Sequence, residues 1–160
     1  MHPEVGSIYN YYSVIITCIY VYLVYHVFTV HTVIHSTFIQ YLNLSHNRIA
    51  NADEAVKIFV VNLPNLLMID LSYTSISDAT LRNIGTYCLN LQILKLAQCT
   101  NFSSKGLYYL GTGKGCRILR HIDMSGCLQI TTAGITIFGK LYQIKQQPSS
   151  NYFQQRVQLI

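Results

Sequence analysis

The sequence predicts an α/β fold: a short solenoid, or horseshoe, of about four strand–helix units, with a separate apolar segment in front of it. Three observations predict this. A short apolar phrase recurs four times at nearly constant intervals, and each copy is followed by a stretch bounded by helix-starting and helix-stopping residues. The length of 160 residues also suits one domain, and not two, once the apolar stretch is set aside.

That stretch comes first, in the segment 1–37. Between Glu4 and Arg48 there is no Asp, Glu, Lys or Arg, and Ile8 to Ile34 is dominated by Val, Ile, Tyr, Thr and His. Tyr11 to Val30 has the ~20 residues a helix needs to cross a bilayer. Against that reading stand its β-branched, tyrosine-rich composition, His26, and the lack of flanking Lys or Arg to orient it. A region ahead of it holding only His2 and Glu4 argues against a secretory signal. A membrane anchor at 11–30 and a divergent or misassigned N-terminal segment are both left open.

From Phe38 to Lys140 charges return and the phrase L-x-x-L-x-L, followed by Asn or a Cys-like residue, appears four times. The copies are Ile39–Leu42–Leu44 with Asn47, Leu66–Ile69–Leu71 with Thr74, Leu91–Leu94–Leu96 with Cys99, and Leu119–Ile122–Met124 with Cys127. Taking Leu42, Ile69, Leu94 and Ile122 as equivalents, the steps are 27, 25 and 28 residues. This is the phrase and period of a leucine-rich repeat. Alternation turns two apolar side chains of each short strand to one face. One repeat cannot bury that face alone, so stacked copies form a parallel sheet over a continuous core. Asn47, Thr74, Cys99 and Cys127 fall at one level, where a small polar or thiol group can satisfy backbone groups opened by the turn.

Each strand leads to a helix. Asp53 and Glu54 start one reaching Leu63, and Pro64 stops it. Ser77 and Asp78 cap the run Ala79 to Tyr87, whose Leu81 and Ile84 face inward. Ser103 and Ser104 begin a third through Leu110, ended by Gly111, Gly113 and Gly115. Thr131 and Thr132 begin the last, through Phe138. The remainder, 141–160, loses the phrase and reads as a divergent, loosely ordered tail. With no polar cap in view, Ile39 and Leu42 at one end and Ile135 and Phe138 at the other are expected to lie open, making the domain marginal or self-associating. Cys88 and Cys116 close two consecutive helices, each 11 residues before a ladder cysteine.

With those residues in view, Leu91 to Ile135 resembles the F-box/leucine-rich-repeat proteins. The resemblance is carried by K-G-L-x-Y-L at Lys105 to Leu110, G-x-G-x-G-C at Gly111 to Cys116 and D-x-S-G-C at Asp123 to Cys127, and weakens toward Phe38. It implies substrate recognition in a Skp–cullin–F-box ubiquitin ligase. One member of the family belongs to the dynein regulatory complex of motile cilia, which implies a scaffold role as the alternative. No F-box precedes these repeats, and Thr74 stands where the subtype has cysteine. A Skp-type adaptor and a cullin are therefore partners only if an F-box lies outside this chain.

The expected activity is protein recognition without enzymatic chemistry. The outward strand positions form the concave face: Tyr41, Asn43 and Ser45; Met68, Asp70 and Ser72; Ile93, Lys95 and Ala97; His121, Asp123 and Ser125. Met68, Ile93, Lys95 and His121 are the chosen centre. The formal charge of +5 comes from scattered residues; the loose group Lys105, Lys114, Arg117 and Arg120 reads as a solvated face, without nucleic acid. Gly111-Thr-Gly-Lys114-Gly115 fails the spacing of a phosphate-binding loop. Cys116, His121 and Cys127 lack zinc spacing, so neither cofactor nor metal is expected. His121 and Ser125 lack an orienting acid. Five cysteines, an odd number, argue for a reducing compartment. The sequons Asn43-Leu-Ser45 and Asn101-Phe-Ser103 then stay unmodified. The cytoplasm, including the ciliary axoneme, is the expected location, with a membrane as the alternative through 11–30.

Overall fold

The computed structural model describes residues 39–47 and 51–145. The segment 11–30 lies outside them. Eight elements alternate along the chain: β1 (Tyr41–Asn43), α1 (Ala52–Asn62), β2 (Met68–Asp70), α2 (Asp78–Tyr87), β3 (Ile93–Lys95), α3 (Ser104–Thr112), β4 (His121–Asp123) and α4 (Thr132–Lys145). The strands form one parallel sheet in the order β1-β2-β3-β4. Leu42, Ile69, Leu94 and Ile122 are register partners in succession, as the repeat steps require. This alternation fits an α/β fold of the leucine-rich-repeat kind.

The core lies between sheet and helices. Leu44, Leu71 and Leu96, two residues beyond the register row, are fully buried. From the other side come Val56, Phe59 and Val60 of α1, Leu81 and Ile84 of α2, and Leu107 and Leu110 of α3. Ile76 and Phe102 fill the strand-to-helix connections. Each fully buried Leu, Ile or Phe contributes about 2 kcal/mol relative to exposure, so the sheet holds because consecutive repeats share these contacts.

Two helices run further than their sequence suggested. α3 continues to Thr112, with Gly111 inside it and buried; the missing side chain admits Leu141 and Phe138 of α4. Gly111 is thus a packing residue and not a stop. α4 continues past Phe138 and past 140 to Lys145. Tyr142 is fully buried, and its hydroxyl donates to the carbonyls of Leu119 and, at 3.2 Å, Arg117. The opening residues of the expected tail therefore belong to the last repeat. The expected exposure at the ends is also corrected: Leu42 and Phe138 are buried, while Ile39 and Ile135 are partly buried. At the Phe138 end the cover is the continued helix, with the Tyr142 ring 6.0 Å away.

Successive helices are tied by a repeated polar contact. Asp53 of α1 accepts from the N–H of Ser77 (2.9 Å), its hydroxyl (2.6 Å) and the Thr80 hydroxyl (2.6 Å) at the start of α2. Asp78 of α2 accepts from the N–H (2.7 Å) and hydroxyl (3.0 Å) of Ser103, the N-cap of α3. Ser104 of α3 accepts from the N–H of Thr131 just before α4 (3.0 Å). Each helix start thus anchors the next.

Candidate functional site

Alternation along three-residue strands turns the residues flanking each buried Leu or Ile outward, and register aligns them into rows. Tyr41, Met68, Ile93 and His121 form the first row, and Asn43, Asp70, Lys95 and Asp123 the second. Parallel pairing continues past the strand ends. Leu44, Leu71 and Leu96 donate backbone N–H groups to the carbonyls of Asp70, Lys95 and Asp123 at 2.8–2.9 Å, and His46, Tyr73 and Gln98 donate to Ser72, Ala97 and Ser125 at 2.7–2.9 Å.

The two rows differ in chemistry. In the first, Tyr41 is exposed, and Met68, Ile93 and His121 are half-buried. This row is apolar and aromatic, next to solvent. In the second, three carboxamide or carboxylate groups serve the backbone: Asn43, Asp70 and Asp123 each accept the N–H two residues on, from Ser45 (2.9 Å), Ser72 (3.0 Å) and Ser125 (3.0 Å). Asn43 and Asp123 also accept the hydroxyls of Ser45 (2.7 Å) and Ser125 (2.8 Å). Asp70 is only 9% exposed and faces Lys95 Nζ at 3.7 Å. It is a turn-forming residue with little surface to offer a partner, whereas Lys95 remains half-exposed between Asp70 and Asp123. The Ser125 N–H, opposed by partial burial and helped by the Ser125 hydroxyl, His121 and Lys95, holds the Asp123 carboxyl below its ordinary range.

Beyond the rows the chain turns through left-handed residues at equivalent places: His46, Tyr73, Gln98 and Gly126 all have φ between 58° and 71°. The His46 and Tyr73 rings stack there, 4.2 Å between centroids and 16° from parallel, both exposed. This aromatic ledge extends the first row's character along the rim and was not foreseen in the sequence. The sign of it was the recurring N-L-S-H, D-L-S-Y, K-L-A-Q and D-M-S-G, in which the fourth residue occupies the same turn.

The ladder residues sit behind the sheet at one level. The Asn47 amide donates to the carbonyl of Leu44 (3.0 Å) and the Thr74 hydroxyl to that of Leu71 (2.5 Å). The cysteines reach back one repeat: the Cys99 thiol donates to Leu71 (3.0 Å) and the Cys127 thiol to Leu96 (3.0 Å). Burial, against weaker opposing hydrogen bonds, raises the Cys99 thiol pKa, and burial pushes the Cys127 thiol up to about 11. Burial together with neighbouring Cys116 raises Cys88 further. These are neutral, inward thiols with the character of structural cysteines.

The glycine loop closes on protein. Gly115 and Cys116 donate their N–H groups to the carbonyls of Gly85 (2.7 Å) and Cys88 (2.8 Å), the open end of α2. A side chain at Gly113 would sit 2.0 Å from the Gly85 carbonyl oxygen. Cys116 follows this loop, so Gly113 and not Cys116 ends α3; Cys88 does end α2. His121 lies on the outward sheet face, while Cys116 and Cys127 are buried. Among the described residues no helix is long and apolar enough to cross a membrane.

A family model described as Leucine Rich repeat matches residues 35–53, the stretch that contains β1 and opens α1. With the parallel four-stranded sheet, this match supports a leucine-rich-repeat region. A repeat of this kind suggests a protein–protein interaction module, and such domains generally bind protein partners.

Proposed function

We propose that the chain binds a protein target on its outward sheet face and catalyses no reaction of its own. The observation that carries this reading is the row Tyr41–Met68–Ile93–His121. These side chains are aligned by register and accessible on one face, and they are apolar or aromatic. Aromatic and Met side chains are the types enriched at the desolvated centres of protein interfaces. Lys95 supplies a charge beside them.

The finer reading is recognition of a substrate for ubiquitin-dependent degradation. It rests on the likeness of Leu91 to Ile135 to the F-box/leucine-rich-repeat proteins, and in particular to F-box/leucine-rich-repeat protein thirteen. In that reading an F-box supplied outside this chain holds the Skp-type adaptor and cullin, and the sheet face holds the target. The same likeness favours a second reading, a scaffold subunit of the ciliary dynein regulatory complex. The proposed location is the cytoplasm, or the axoneme in the second reading. A membrane-tethered variant rests on Tyr11 to Val30 alone, and carbonate extraction that leaves the chain in the pellet is its expected result.

The discriminating experiment is affinity capture from ciliated cells, with the sheet-face variant Met68→Glu, His121→Glu as control. Recovery of adaptor and cullin, with a target lost in the variant, supports the ligase reading. Recovery of axonemal proteins without adaptor supports the scaffold. A capture profile identical for both proteins removes the sheet face from either account.

A further inference from the structure

The outer, helical side of the molecule holds a charge arrangement that the sheet face does not use. Arg82 of α2 and Lys105 of α3 both stand over the ring of Tyr109: the guanidinium carbon lies 5.9 Å from the ring centroid and the ammonium nitrogen 5.8 Å. Both cations are exposed, and Tyr109 is half-buried between the two helices. By these distances the charges are at most about 12 Å apart, against a Debye length of ~8 Å at physiological salt. The ring's negative face attracts both, weakly at an exposed site.

The acid best placed to neutralise Arg82 is Asp78, four residues before it on the same helix face. Its carboxylate is instead held by the Ser103 N–H at 2.7 Å and the Ser103 hydroxyl at 3.0 Å. Among the described residues neither Arg82 nor Lys105 makes an ion pair; the pairs formed are Lys57–Glu54 and Lys95–Asp70. Tyr108, half-exposed and edge-on to Tyr109 at 6.2 Å, adds apolar surface beside the two cations.

We propose that the surface around Tyr109, where α2 and α3 meet, is a second docking site, separate from the sheet face, which takes an acidic segment of a protein partner. Two carboxylates spaced i, i+2 in an extended chain lie ~7 Å apart, within the reach of Arg82 and Lys105. The backbone between them, or an apolar side chain on the same face of the extended segment, rests on Tyr108 and Tyr109. Arg82 binds in a forked geometry and Lys105 as a point charge.

The test is fluorescence anisotropy with the full chain and a labelled Glu-Leu-Glu-Leu-Glu peptide flanked by Gly-Ser, beside its Gln-for-Glu counterpart. The expected result is saturable, salt-sensitive binding of the Glu peptide alone. R82Q/K105Q weakens it about tenfold, as two partly exposed charge pairs would, with an unchanged melting curve. K114Q/K140Q, which removes the same charge from other exposed positions, changes it less than twofold. The proposal is overturned if the Gln peptide binds as well, if the Glu peptide does not bind, or if K114Q/K140Q weakens binding equally. It is also overturned if single-stranded RNA of matched charge binds more tightly and loses that binding in R82Q/K105Q, which would make this surface a nucleic-acid site. Met68→Glu, His121→Glu leaves peptide binding intact, so failure here is distinguishable from failure of the sheet-face reading.

Discussion

Asp53, in the first turn of α1, holds Ser77 at the N-cap of α2 through two hydrogen bonds, 2.9 Å from the backbone N–H and 2.6 Å from the hydroxyl. One side chain therefore belongs to two repeats. Partial burial pushes its carboxyl up, but the bonds from Ser77 and Thr80 together more than reverse this and leave it below the ordinary range. Asp53→Ala should cost about 2 kcal/mol, and Asp53→Asn less, measured by urea unfolding. Because the folded pKa is depressed, the stabilisation is complete above the unfolded value near ~4 and is lost as pH falls through the folded value. The wild type should therefore show a steeper acid loss than Asp53→Asn; equal slopes would contradict the contact.

Gly113 has ordinary backbone angles, φ −60° and ψ 161°, so replacing it costs contact and not backbone strain. An added methyl would lie 2.0 Å from the Gly85 oxygen, a backbone atom fixed at the end of α2. Gly113→Ala should lower stability by about 2–3 kcal/mol. Gly139, inside α4 with nothing near its missing Cβ, should behave oppositely, gaining about 0.5–1 kcal/mol as Ala. Thermal unfolding of both variants checks the pair.

Some of this was legible in the sequence and some was not. Strand register and inward rows could be read because x-L-x-L with a fixed step is a local pattern whose burial follows from alternation. The helix ends could not. Gly111 looks like a stop, and only the approach of Leu141 and Phe138, some 30 residues on, makes it a packing position. Tyr142 carries no repeat signature; its burial depends on the carbonyls of Arg117 and Leu119 being open beneath it. Asp70 was placed on the binding face by alternation alone, and turn formation with Ser72 together with Lys95 drew it in. Asp53, Asp78 and Ser104 read as caps of their own helices, because partners 24–27 residues away leave no local trace.

Tyr142 makes α4 part of the fold. Tyr142→Phe, which removes the donor and leaves two carbonyls less satisfied, should cost about 1–2 kcal/mol. A chain ending at 140 also loses the buried ring and should fall by at least ~3 kcal/mol. Chemical denaturation of the two proteins should preserve that order.

Cys88, Cys99, Cys116 and Cys127 are buried free thiols. In a Cys18→Ser background they should resist Ellman's reagent at pH 8 in buffer, and all four should react in denaturant. The raised folded pKa values of Cys88, Cys99 and Cys127 mean that these thiols ionise first in the unfolded chain. Stability is thus full below ~9 and declines as pH rises toward the Cys127 value of about 11. Rapid labelling of Cys99 or Cys127 in the native protein would contradict the ladder, and rapid labelling of Cys88 or Cys116 would contradict the packing of the helix ends.

Photo-crosslinking from single positions tests the sheet face directly. With benzoylphenylalanine at Met68 or at His121, partner-containing lysate should give the same discrete adduct, and with the probe at Ile58 or Ile137, exposed on the helical side, that adduct should be missing. An adduct formed from Ile58 or Ile137 but not from Met68 or His121 would contradict recognition by the sheet.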